Sequence, residues 1–65
     1  MNKKAFEKLF MESRRYSSFV IIKTLNAIFY ADSYSFDKKY PKLVVFYWRD
    51  SIIGYCYIRS IIEVI

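Results

Sequence analysis

Fourteen of the 65 residues carry an aromatic ring, six Phe, seven Tyr and one Trp, and no other feature limits the fold as tightly. A chain this short buries only about 60% of the surface it exposes when unfolded, while each buried ring removes roughly 150–250 Å² from water. One small core cannot enclose them all. Some rings must face solvent or a partner, and rings clustered at a surface mark an interface. The same shortness allows a single domain, residues 1–65, whose own core or a partner must supply its stability.

Hydrophobic residues make up 55% and charged residues 26%, a balance that folds and excludes a disordered tail. Eleven Lys and Arg against six Asp and Glu give a net charge of +5, spread over both halves of the chain. That excess favours anionic partners, whether nucleic acid, an acidic protein surface or anionic lipid. A lone Cys56 cannot form an internal disulfide and points to an intracellular, cytoplasmic protein. Lying among Tyr55, Tyr57 and Ile58, it reads as a small buried hydrophobe. No transmembrane segment is expected, because every uncharged stretch falls far short of the ~20 residues a spanning helix requires. The Lys3 and Lys4 pair is followed by Glu7, Lys8, Glu12, Arg14 and Arg15 where a secretory signal would be apolar.

Four segments follow along the chain. Residues 2–15 predict an amphipathic helix, with Phe6, Leu9 and Phe10 at helical spacing, Asn2 as N-cap and Arg14 and Arg15 near the C-terminus. Residues 16–32 read two ways. Phe19, Val20, Ile21 and Ile22 favour a strand, whereas Leu25, Ala27, Ile28, Phe29 and Ala31 suit a second helix; length without a Gly or Pro turn signal tips the reading to helix. Residues 32–42 read as a loop that ends at Pro41. Leu43 to Arg49 and Ile52 to Arg59, separated by Arg49, Asp50 and Ser51, have the pattern of a β-hairpin. Ser60 to Ile65 reads as a third strand or as the end of the second. The expected class is therefore α+β: an N-terminal amphipathic helix, a second helix, and a C-terminal antiparallel β-hairpin or small three-stranded sheet.

With a two- or four-residue hairpin loop, Lys42 faces Arg59, Val44 faces Tyr57, Phe46 faces Tyr55 and Trp48 faces Ile53. Four large rings then share one face, with two cations at its end. Leu43, Val45, Tyr47 and Arg49 make the other face, opposite Ile58, Cys56, Gly54 and Ile52, and Gly54 leaves room for Tyr47. Such rings can simply be core, or they can form a docking surface for a protein or a stacking platform for single-stranded nucleic acid. The logic resembles that of sheet-based RNA readers, without their glycine-bearing motif. A single Gly argues against OB and SH3-like barrels. Phe46-Tyr47-Trp48-Arg49 and Tyr57-Ile58-Arg59, at the end of a helix, helix, strand, strand order, look slightly like the small bacterial ribosome-dependent ribonuclease toxins. That likeness covers under half the chain and carries over no catalytic residue.

Enzymatic chemistry finds little footing. Without His, proton transfer would fall to scattered carboxylates, Lys or Tyr. There is no phosphate-cradling glycine loop, no nucleophile elbow and no metal-ligand spacing, so no catalytic residue, cofactor or metal is expected. Ser residues read as caps and turns. The leading expectation is a small non-enzymatic protein-binding module whose contact residues are Lys42, Phe46, Tyr47, Trp48, Arg49, Tyr55, Tyr57 and Arg59. Its partner would be a larger host protein or a second copy of itself. Size and a residue usage rich in Lys, Ile, Tyr, Phe and Asn fit an inhibitor encoded by a phage or other mobile element, acting in the host cytoplasm. The alternative is a small basic nucleic-acid-binding protein, in which Lys3, Lys4, Lys8, Arg14 and Arg15 contact phosphates and sheet rings stack on bases.

Overall fold

Asn2 starts the helix where its side chain can satisfy an otherwise orphaned donor: its Oδ1 accepts from the backbone N–H of Ala5 at 2.8 Å. In the computed structural model, which describes residues 1–65, that helix is α1, Lys3–Tyr16. Phe6 and Phe10, one turn apart, form its buried stripe. Arg14 ends it by donating from Nη1 to the carbonyl of Ser17 at 2.8 Å and from Nε to that of Asp32 at 3.1 Å.

No second helix follows. Residues 16–32 contain a hairpin, β1 (Val20–Thr24) and β2 (Ile28–Ala31), paired antiparallel with Val20 opposite Ala31 and Ile22 opposite Phe29. The turn needs neither Gly nor Pro because Thr24 supplies it. Its Oγ1 accepts from the N–H groups of Asn26 and Ala27 at 3.3 and 3.0 Å, and its own N–H donates to the Ala27 carbonyl at 2.9 Å. With the strand ending at Thr24, alternation becomes clean: Val20 and Ile22 are buried, while Ile21 and Lys23 sit on the opposite face. The loss of the second helix also removes the element order that resembled the ribonuclease toxins.

The expected loop at 32–42 is half strand. β3 (Ser33–Phe36) pairs with β4 (Leu43–Trp48), leaving a tight connection in which Asp37 Oδ2 accepts from Lys39 and Tyr40 N–H at 3.0 and 2.8 Å. β4 continues into β5 (Ser51–Tyr57) through a two-residue turn, Arg49 and Asp50, both at positive φ (48° and 68°). This is the left-handed pair that matches the twist of a hairpin. A 3-10 turn, Ile58–Ser60, then leads to β6 (Ile61–Val64), which does not extend the hairpin but pairs with β1.

Two three-stranded antiparallel sheets result, β2-β1-β6 and β3-β4-β5. β2 and β3 are separated by Asp32 alone, so the chain passes from one sheet to the other at a corner. Asp32 fixes that corner: its N–H donates to the Tyr47 carbonyl, and its Oδ2 accepts from Arg49 N–H, both at 2.9 Å. An aspartate thus turns the corner between the two sheets without a glycine. Gly54 serves at one close approach, where a Cβ would stand 2.5 Å from Phe29 Cε1. That room is for Phe29 of the facing sheet, not for Tyr47.

α1 covers one end of the space between the sheets. The Phe6 ring meets Tyr34 at 4.8 Å, Phe10 at 5.7 Å and Phe46 at 6.3 Å between centroids. Val20, Ile22, Ala31, Val44, Ile58 and Ile61 complete the core, and no polar or charged residue is buried. The class is α+β, with one helix and six strands.

Candidate functional site

A single slipped residue decides where the hairpin rings go. From the turn, Trp48 pairs with Ser51 and Tyr47 with Ile52; then Ile53 bulges, and Phe46 pairs with Gly54, Val44 with Cys56 and Leu43 with Tyr57. Beyond the bulge β5 lies one place from the register expected from the sequence, which turns Gly54 to Tyr57 to the opposite faces. The expected platform of four rings does not form. Phe46 is buried in the core, Tyr55 and Tyr57 lie on the outer face with Tyr47, and Trp48 stands at the rim.

At that rim four side chains from four segments enclose a cup of about 380 Å³: Phe19 just before β1, Tyr30 from β2, Trp48 at the end of β4 and Ile53 in the bulge. The Phe19 ring lies 6.0 Å from Tyr30 and 6.4 Å from Trp48 between centroids, the latter edge-on at 76°. Tyr30 is 55% and Ile53 42% exposed, so the cup opens to water. No ionisable carboxylate or amine lines it. The Arg49 guanidinium rests 5.5 Å from the Trp48 ring centroid, a cation at its lip. Asp32, by holding Arg49 and Tyr47 through their backbones, fixes Trp48 between them.

Beside the cup runs the outer face of β4 and β5. Ile52 (67% exposed) and Tyr55 (66%) flank Val45 and Tyr47, and Tyr57 stands at the far end. The Tyr47 hydroxyl is fixed by a 2.9 Å hydrogen bond with the Ser35 hydroxyl. Of the fourteen rings only Phe6, Phe10 and Phe46 are buried, so the surplus inferred from the sequence does reach the surface.

The expected contact residues thus divide among four places. Trp48 lines the cup with Arg49 at its lip, Tyr47, Tyr55 and Tyr57 belong to the outer face, and Phe46 is fully buried in the core. Lys42 and Arg59 line a separate groove by the start of α1. Phe19 and Tyr30 lie in the stretch whose sequence reads two ways, and neither is among the expected contact residues; Ile53, expected opposite Trp48, does stand beside it, but in a bulge that no turn residue announces.

Burial pushes the Cys56 thiol up to about 11 from its ordinary 9.0, keeping it protonated near neutral pH. Burial, and then the nearby Glu7 carboxylate, raise Tyr34. No three His, Cys, Asp or Glu residues come together as metal ligands, and no helix is long and apolar enough to cross a membrane. No known protein family, curated protein or solved structure matches this chain.

Proposed function

We propose that the protein is a non-catalytic binding module that docks on a larger protein by receiving one of its apolar side chains in the Phe19–Tyr30–Trp48–Ile53 cup. The cup is the observation that supports this reading. Rings that would gain by burial instead surround an open concavity, and energetic centres of interfaces are such aromatic pockets with an Arg nearby. A standard interface takes ~800 Å² from each partner, far more than the cup's mouth. The adjoining Ile52, Tyr55 and Tyr47 face supplies the remainder. The rigid turn at Arg49 and Asp50 helps, because an interface side chain already held in place loses little freedom on binding.

The finer form of the proposal is an inhibitor, made by a phage or other mobile element, that covers a site on a host protein in the host cytoplasm. Small size and a contact surface made of Trp, Tyr, Ile and Arg support it. Affinity purification from the native cell, with wild type and Trp48→Ala compared side by side and both shown to be folded by circular dichroism, tests the reading. A protein recovered with wild type and lost with Trp48→Ala is the expected result. Recovery of the same proteins with both removes the cup from function.

A further inference from the structure

At the end of α1 away from the cup lies a second concavity, of about 630 Å³, between the start of the helix, Pro41 and Lys42 before β4, and Tyr57 to Arg59 at the end of β5. A helix of 14 residues spans about 21 Å, so the two sites are well separated. We propose that this groove binds single-stranded nucleic acid through its phosphates, with Lys3, Lys42 and Arg59 as the phosphate contacts.

Charge carries the first part of the argument. Three of the eight lining residues are cations and none is acidic. The molecule's single salt bridge, Lys23 with Glu63, lies elsewhere, so no carboxylate neutralises any of the three. The first turn of α1 holds no acidic residue and begins with Lys3 and Lys4. Cations there face the positive end of the helix macrodipole, an arrangement that an anion in the groove relieves. Shape carries the second part. The volume exceeds that of a lone phosphate and falls in the range of ligand sites, and three cations on three separate segments suit successive phosphates of a strand. The walls also offer apolar surface, in Pro41, Ile58 and the half-exposed Tyr57 ring, against which a sugar or base can lie.

The groove is held open. Ile58 N–H donates to the Lys42 carbonyl at 2.8 Å, tying two walls together, and the Asn2 cap fixes the third. Arg59 is held at the groove by one of its walls, its guanidinium 5.6 Å from the Tyr57 centroid, while Lys3 Nζ lies 4.6 Å from the centroid of Phe36. Lys42 has neither a ring nor a carboxylate partner.

Fluorescence anisotropy of a labelled oligouridylate, titrated with the full chain over a range of salt, tests the proposal. Three phosphate contacts on a single strand predict a slope of log affinity against log salt of about −2, and Lys42→Gln should flatten it by about 0.7 and weaken binding about fivefold near 0.1 M salt. Lys42→Gln with Arg59→Gln should weaken it about 25-fold. Lys8→Gln with Arg15→Gln, on the exposed side of α1, should change it far less, with melting temperature checked for every variant. No binding at about 50 mM salt, or equal losses from the two double variants, overturns the groove. Displacement of the oligonucleotide by ATP at comparable concentration overturns the strand and leaves a mononucleotide site. Trp48→Ala should leave this binding intact, which keeps it distinct from docking at the cup.

Discussion

Phe6, Phe10, Tyr34 and Phe46 under α1, and Phe19, Tyr30 and Trp48 at the rim, are chemically alike and structurally opposite. The first group is roofed by the helix, with centroids as close as 4.7 Å, between Phe10 and Tyr34. The second group stands wider, at 6.0 and 6.4 Å, around open space. What separates them is cover, since α1 is the one element available to close an end of the two-sheet stack. A ring's role is therefore set by which end of the two-sheet stack it lies near, and the two ends should respond differently to truncation.

Phe6→Ala should have the largest effect. Its ring is fully buried and touches four other rings, and removal of such a side chain costs about 3–5 kcal/mol. A domain of this size rarely holds more than about 3–5 kcal/mol in its core, so the variant should be largely unfolded at 25 °C by circular dichroism. A cooperative melt near that of wild type would show that α1 is not the roof it is taken to be. Trp48→Ala should invert the pattern. Affinity for the docking partner should fall by about 2 kcal/mol or more, roughly 30-fold, while the melt shifts much less than for Phe6→Ala. Calorimetry with the purified partner measures the first and thermal denaturation the second; a large loss of stability with unchanged affinity would return Trp48 to the core.

The helical end was legible in the sequence and the rim was not. Helical spacing of Phe6 and Phe10, and Asn2 as cap, are local signals, and both appear as expected. The hairpin of β4 and β5 was legible as an element but not in register, because the bulge at Ile53 leaves no mark in a run of β-branched and aromatic residues. The turn at Thr24 was invisible to a reading that looks for Gly and Pro, although a Thr side chain closes it as well. The corner at Asp32 depends on Tyr47 and Arg49, both at least 15 residues further along the chain, and so has no local signature. Each difference arises at a turn, corner or bulge: the Thr24 turn places Phe19 and Tyr30, and the Ile53 bulge turns Tyr55 and Tyr57 to the outer face.

Gly54→Ala probes the contact between the sheets that lies between the two ring groups. The added methyl would meet Phe29 Cε1 at 2.5 Å and Cδ1 at 2.9 Å, both on a ring already packed 4.9 Å from Phe46. Overpacking of this kind costs about 1–3 kcal/mol. Pairing the change with Phe29→Leu should recover part of the loss, because the clash is with the ring and not with backbone. If the double variant melts lower than the sum of the single effects predicts, Phe29 is not what Gly54 makes room for.

Cys56 gives the smallest effect and the sharpest view of the sheet beneath the outer face. It pairs with Val44 and packs against the core, and burial raises its thiol to about 11 against 9.0 for the ordinary value. Because the folded value is the higher, the unfolded chain loses its proton first as pH rises. The thiol's contribution is therefore complete below about pH 9 and is lost progressively toward pH 11. Urea denaturation of wild type and Cys56→Ala should give curves of stability against pH that run parallel below 9 and converge above it. At pH 8 an alkylating reagent should modify the native thiol far more slowly than the urea-unfolded one, since the thiolate is the reacting form. Equal rates in the two states would mean that β5 opens at this position as freely as an unfolded chain, and the outer face it carries could not then be a rigid docking surface.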